Sequence, residues 1–451
     1  MVKKYSSPYD CIIVGAGPAG MFAAYEMVKK KPKAKICLIE KGNIIQNRKP
    51  SEIMSGVGGT GSYSDGKLHF TPVLSHEKLF HLYNPQQIQH LLDEVDKIFT
   101  EFGVNAPYTP NNINEVLPLV EECRQKEIQL FIRKARHIGS DLLPKVILNF
   151  QEFLLRKGVK ILPKTEVKSL IIEKSKCLGV VLKDGKTIKG KRVFLAPGRA
   201  GTRWLQEICK LHKISFTYDR IEIGVRVEFP AVLMKRFSDK MYESIFMVYT
   251  PTFDNAVRTF CPCPNGYVVL EKYEGFVSVN GHSNSDNNAP NSNFALVQEV
   301  ELTEPVENTT SYALSIAKMA TTIGGGKPVL QRLADFKKGR RSTWDRIKKS
   351  YVIPSLIDVT PGDISMALPY RNVVNLKEAI GMLDRVMPGL NSGATLLYAP
   401  EIKLRASKIK TNKHLETNIK NLYVGGDAAG LSGSITGAAV TGLIAGRHLS
   451  S

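Results

Sequence analysis

Tyr9-Asp10-Cys11-Ile12-Ile13-Val14-Gly15-Ala16-Gly17-Pro18-Ala19-Gly20 is the stretch whose reading decides the fold. Tyr9–Val14 is a short apolar run suited to a buried strand, and Met21–Lys30 has the apolar spacing of a helix. Between them stands G-x-G-x-x-G. Gly15 permits the tight bend, Gly17 lets backbone approach a diphosphate, and Gly20 allows close packing of helix on strand. Pro18 and Ala19 belong to the same turn, and the helix N-terminus after it offers free N–H groups and a positive dipole end to phosphate.

A second apolar strand, Lys35–Ile39, ends at Glu40, with Lys41 beside it. A carboxylate at this place accepts hydrogen bonds from the ribose hydroxyls of an adenosine and repels a 2′-phosphate, which points to FAD or NAD rather than NADP. The far end of the chain separates the two. Asn421-Leu422-Tyr423-Val424-Gly425-Gly426-Asp427 is again strand, glycine turn and acid, and a small-residue helix, Ile435–Leu449, follows. This resembles the C-terminal motif of glutathione-reductase-type flavoproteins. The resemblance implies that Asp427 holds the ribityl hydroxyls and that Gly433, Ser434, Ile435 and Thr436 offer backbone N–H groups to the flavin. Between the two ends, the residue matching Val167 would lend backbone to the adenine. Ala196-Pro197-Gly198, after the apolar Arg192–Leu195, resembles the A-T-G turn that returns the chain to the nucleotide domain, with Pro197 in place of threonine. The cofactor expected is FAD, held non-covalently.

Further segments narrow the likeness. They include the glycine-rich loop Gly58–Leu68, Arg136–Asp141, Ile223–Glu228, Arg258–Val268, Asn280–Ser283 and Leu397–Lys403. Together they resemble the family of FAD-dependent dehydrogenases, in its short form, from about residue 9 to 449. That resemblance names the cofactor rather than the substrate. The fold class expected is α/β: a discontinuous Rossmann-like FAD-binding domain from 1–50, 150–215 and 395–451. A flavin-lining loop and helical insertion would occupy 51–149, and an α+β substrate lobe 216–394. Helices are expected at Pro85–Phe102, Glu115–Arg136, Ser311–Thr322 and Leu376–Val386, with Asn280–Asn293 as a polar loop. Gly324-Gly325-Gly326-Lys327 follows a helix rather than a strand and reads as a C-terminal cap, not a phosphate cradle. No second complete dinucleotide motif stands in the chain, so NADH or NADPH, if it is the donor, docks transiently.

Several residues are candidates for the chemistry. In the glycine-rich loop, Gly59, Thr60, Gly61, Ser64, Asp65 and Gly66 are expected to line the cofactor, with Lys67 placing positive charge near reduced flavin. Cys261 and Cys263 form a C-x-C pair, which reads either as redox-active or as a turn with one thiol facing the site. Arg226 and Arg258 stand among apolar strand residues, as anion binders or as paired core arginines. His137 and His282 are acid–base candidates or structural loop histidines.

Composition bounds the rest. A chain of 451 residues is too long for one compact core. Seven cysteines scattered through apolar surroundings are no disulfide framework, and no cysteine or histidine spacing suits zinc. The first residues lack the apolar core of a signal peptide, and no run reaches membrane-spanning length, so a cytoplasmic location is expected. A net charge of +20 either solubilises the surface or steers an anionic partner. The leading expectation is an FAD-dependent oxidoreductase that passes hydride between flavin N5 and an unidentified small molecule, with an anionic one among the options. A flavin-dependent RNA-modifying enzyme and a non-catalytic electron carrier are the alternatives from other classes.

Overall fold

The computed structural model describes residues 8–49, 52–63, 66–73, 79–273, 275–283, 289–300, 302, 308–403 and 407–450. The chain forms two compact units. One comprises Met1–Asn105, Asp141–Asp219 and Arg405–Ser451; the other comprises Ala106–Ser140 and Arg220–Leu404.

The first unit is built on a parallel sheet in the order Lys160–Leu162, Ile36–Ile39, Tyr9–Val14, Thr187–Leu195, Leu422–Val424. Its central strands are buried on both faces, which is why they read as unbroken apolar runs rather than alternating ones. Thr187–Leu195 is shared: its first residues pair antiparallel with Lys176–Leu182, which pairs in turn with Val167–Glu173. This small antiparallel meander interrupts the parallel sheet and then returns the chain to it.

Two helices cover the glycine turn. Pro18–Lys30 starts at the turn, and Ile435–Leu449 is buried along almost its whole length. They pack closely because Gly442 and Gly446 have no side chain: a Cβ on Gly442 would stand 2.3 Å from the Ala19 carbonyl oxygen. Two further helices, Pro85–Glu101 and Leu143–Arg156, join through aromatic rings. Phe22 meets Phe99 and Phe150 at 5.0 and 5.1 Å, and Phe102 stacks on Phe150 at 4.2 Å. The unit is the discontinuous Rossmann-like α/β domain that the glycine motif predicts.

The second unit is α+β. Its main sheet runs Thr360–Pro361, Val329–Arg332, Leu396–Lys403, Ile221–Pro230, Asn291–Val300, Ala256–Cys263, Ile245–Tyr249, Gln129–Phe131. All neighbours are antiparallel except the first pair. Helices Leu117–Gln125, Thr309–Ile323 and Tyr370–Asp384 contribute to one apolar core, in which Phe229, Phe237, Phe246 and Phe294 are fully buried.

Three readings of the sequence need correction. The helix expected over Glu115–Arg136 ends at Gln125; Glu127 takes a positive φ of 58°, and strands Gln129–Phe131 and Ala135–His137 follow. The polar stretch Asn280–Asn293 is not one loop: it contains the end of strand Phe276–His282 and the start of strand Asn291–Val300. The stretch 51–149 does not form one insertion, because 106–140 folds with the second unit. The glycines Gly324–Gly326 do cap Thr309–Ile323, with the Gly324 and Gly326 N–H groups donating to Ala320 and Thr321.

Candidate functional site

In the first unit the glycine turn, Glu40 and three loops converge at the C-terminal edge of the parallel sheet. Gly15 has φ +101°, and a Cβ there would lie 2.1 Å from the Ala196 carbonyl oxygen. A Cβ on Gly20 would lie 2.0 Å from the Gly15 oxygen. Both positions therefore exclude any side chain. Gly17 differs: a Cβ there would meet only Gly59 Cα, at the ordinary contact distance of 3.8 Å.

Glu40 is buried and acts as a knot. Its Oε2 accepts from Ala16 N at 2.9 Å, and its Oε1 accepts from Gly42 N and Gly56 N, each at 2.9 Å. One carboxylate thus fixes the glycine turn, the exit of the second strand and the loop beyond it. Such charge-assisted bonds are roughly twice as strong as neutral ones. Lys41 beside it is exposed. The Glu40 carbonyl accepts from Thr165 N at 2.9 Å, which brings the start of the meander and Val167 to this end of the sheet.

The glycine-rich loop after Gly56 lies on the turn. Gly58 N donates to Ala16 O at 2.8 Å, and a Cβ on Gly59 would stand 3.1 Å from Gly17 Cα. A Cβ on Gly61 would stand 2.9 Å from Ile435 Cγ1, so the same loop reaches the start of the last helix. Ser434 caps that helix by accepting from Gly437 N at 3.0 Å. Thr436 Oγ1 donates to His69 O at 2.6 Å, tying in the strand Lys67–His69, where Lys67 is only 3 % exposed. Ser64 and Asp65 lie outside the described residues.

The returning strand completes the cradle. Ala196 N donates to Val14 O at 2.8 Å, and Gly425 N donates to Leu195 O at 3.0 Å. Gly198 and Gly426 take positive φ of 63° and 72°, and a Cβ on Gly198 would meet nothing within 4 Å. Asp427 accepts a short hydrogen bond from Ser432 Oγ. Gly433 lies between that bond and the Ser434 cap.

These residues fit FAD. The first turn of Pro18–Lys30 has no side-chain cap and no acidic residue, so the Ala19 and Gly20 donors suit a diphosphate. Around Gly198 a Cβ would meet nothing within 4 Å, which leaves space beside the turn. Sequence reasoning missed Arg48. Its guanidinium donates to the carbonyls of Val57 and Gly59 at 2.9 Å and to those of Glu52 and Ile53 at 2.9 and 3.0 Å. It shapes the loop over the turn, yet no local motif marks it.

The second unit brings Arg226, Cys261, Cys263 and His137 together near Gly281–Ser283, where His282 also lies. Arg226 is fully buried: Nε donates to Asn293 Oδ1 at 2.7 Å, and Nη2 donates to Cys261 O at 2.7 Å and Cys263 Sγ at 3.3 Å. Glu401 Oε2 lies 3.8 Å from Nη1, and Lys403 pairs with Glu401 at 2.5 Å. A Cβ on Gly281 would strike Arg226 Nη2 at 1.8 Å. Cys261 has φ +47° in a bulge against Asn291–Val300, while Cys263 is fully buried. Arg226 therefore pins the Cys261–Cys263 turn. Arg258 forms a bidentate pair with Glu222 at 2.5 and 2.8 Å.

Two residues further on, Ser283 Oγ lies 2.6 Å from the Tyr242 hydroxyl and 3.5 Å from His137 Nε2. His137 stacks on Tyr242 with centroids 4.0 Å apart. Tyr242 stands in no motif, and Ser283, although it lies in the segment Asn280–Ser283, carries no local sign of chemistry. His282 pairs with Tyr267 in the adjoining hairpin.

Residues 220–404 match the family described as FAD-dependent protein, C-terminal domain-like. That family's FAD-dependence agrees with the cradle in the first unit. An uncharacterized protein of Clostridium beijerinckii is 27 % identical over 475 residues, covering 97 % of this chain and 80 % of its own. Among solved structures, E. coli quinol fumarate reductase is 14 % identical with a TM-score of 0.45, covering 98 % of this chain and 70 % of that one. L-proline dehydrogenase from P. horikoshii is 12 % identical with a TM-score of 0.43, covering 97 % and 92 %. Among the described residues, no helix is long and apolar enough to cross a membrane.

Proposed function

We propose that this protein is an FAD-dependent oxidoreductase that acts on a small molecule. The observation that carries the reading is the Glu40 knot, which draws the glycine turn and the overlying loop into one cradle beneath an uncapped helix start. The FAD-dependent family match of residues 220–404 supports it independently.

When bound, FAD would supply hydride transfer at its N5 atom. The chain supplies the rest. Ala19 and Gly20 N–H groups bind the diphosphate, and the free acceptor capacity of Glu40 Oε2 serves a ribose hydroxyl. Val167, Ala196, Pro197 and Gly198 line the adenosine side, with Lys41 at its exposed rim. Asp427 accepts from the ribityl chain. Ser434, Ile435 and Thr436 present backbone donors at a positive helix end, which favours negative charge on the reduced ring. Gly59, Gly61 and Gly66 allow close backbone approach, Thr60 lies in the same loop, and Lys67 adds positive charge. In the second unit, Tyr242, Ser283 and His137 form a line of exchangeable protons, with Ser283 Oγ able to pass a proton between the phenol and the imidazole. If NADH or NADPH is the donor it docks transiently; a protein donor is equally compatible.

The test is purification followed by rapid mixing. The protein should emerge yellow, release FAD on denaturation, and be reduced by NADH or NADPH in a single phase; reoxidation by small acceptors then separates an enzyme from an electron carrier. A colourless protein that FAD cannot reconstitute overturns the reading.

A further inference from the structure

The segment Lys337–Asp358 of the second unit joins two features that are seldom found together. It carries seven lysines and arginines against two aspartates. It also exposes large apolar side chains: Tyr351, Ile353 and Ile357 are 69 %, 74 % and 75 % exposed, and Trp344 is 37 % exposed. Scattered apolar side chains on a surface need no explanation, but a cluster of them within a basic segment does.

The segment is held firmly. Ile347, Val352 and Val359 are buried in a core with Leu396 and Tyr398. Val352 is buried, whereas its neighbours Tyr351 and Ile353 are exposed. Ile353 O accepts from Asn291 Nδ2 at 2.8 Å, and Ser355 N donates to Glu228. The apolar side chains are therefore presented rather than loose. Trp344 and Lys348 stand four residues apart on the short helix Trp344–Lys348, hence on one face. Of the two acids, Asp358 is neutralised by Lys327 at 2.8 Å. Among the described residues, Lys338, Arg341, Lys348 and Lys349 have no carboxylate partner.

We propose that this face docks on an anionic lipid bilayer, with Ile353 and Ile357 entering the interface, Trp344 and Tyr351 at headgroup level, and the basic side chains against lipid phosphates. Charge complementarity selects that occupant. A second copy would bring the same uncompensated cations against themselves, on a chain of net charge +20. A nucleic acid would satisfy the cations but offers no apolar layer for two isoleucines. Aromatic and aliphatic side chains beside lysine and arginine are the composition of a membrane-surface anchor.

The full-length chain, loaded with FAD, should cosediment with vesicles of phosphatidylcholine and phosphatidylglycerol at low salt, and at least tenfold less with phosphatidylcholine alone. In a Trp204→Phe background, Trp344 is the sole tryptophan, and its emission should shift to the blue on binding. Ile353→Ser with Ile357→Ser, and separately Lys348→Glu with Lys349→Glu, should each reduce binding about tenfold or more with flavin content and circular dichroism unchanged. Equal binding to neutral vesicles, no binding at low salt, or variants that bind like the parent would each overturn the proposal. So would a parent dimer that the isoleucine variants disperse, or RNA binding lost in the lysine variants without vesicle binding.

Discussion

Glu40 and Arg226 are single side chains that each hold several pieces of backbone, and they differ in what their loss exposes. Glu40 accepts from three N–H groups, so Glu40→Gln sets an amide NH₂ against at least one donor. One unsatisfied buried donor costs about 1–3 kcal/mol. FAD affinity should therefore fall roughly tenfold to a hundredfold, read by titrating apo-protein with FAD and following flavin fluorescence. Arg226→Ala removes a buried cation from Asn293, Cys261 and Cys263 and leaves Glu401 with Lys403 alone. Breaking a buried charge network of this kind costs about 3–5 kcal/mol. Chemical denaturation should show that loss, whereas Arg226→Lys should recover only part of it, because an ammonium cannot span the same acceptors.

At the scale of elements, the packing of Pro18–Lys30 on Ile435–Leu449 depends on what two glycines lack. Gly442→Ala places a methyl 2.3 Å from the Ala19 carbonyl oxygen, and backbone must shift to admit it. Overpacking of this kind costs about 1–3 kcal/mol, which a lowered thermal midpoint for the variant would show. The sequence declares this helix pair because small residues and the glycine motif mark it. It does not declare the strand Asn291–Val300. That strand begins Asn-Ser-Asn and is buried on both faces for eight residues, so it shows no alternation and its apolar run is only the four residues Phe294–Val297. The break after Gln125 is hidden for another reason: Glu127 adopts positive φ without glycine or proline to mark the stop. The cofactor cradle was legible because phosphate recognition by backbone requires glycines at fixed spacing. The Tyr242–Ser283–His137 cluster was not, because it is assembled from three separate segments by the fold alone.

Across the whole molecule, pH should act through Glu228. This carboxylate is fully buried, accepting from Tyr398 at 2.5 Å and from Asn291 at 3.0 Å, and burial raises its pKa despite those bonds. A carboxyl group whose folded pKa is raised gives stability that is fully present below its unfolded pKa of about 4.3 and is lost as pH climbs through the folded value. Glu228→Gln cannot ionise and lacks that loss. The thermal midpoint of the variant minus that of the parent should rise as pH climbs through that window, and a constant difference would remove Glu228 as the cause.

The three-part path of the first unit also sets a timetable for synthesis. Leu422–Val424 lies beside Thr187–Leu195 in the parallel sheet, yet leaves the ribosome only after all of 220–404 has been made. Until then the open edge of Thr187–Leu195 is a template for unwanted pairing. The second unit holds its long stretch in one contiguous piece and can mature during that wait. A chain halted just after residue 404 should therefore aggregate through the unfinished nucleotide domain, while the chain that continues through Leu422–Val424 seals that edge.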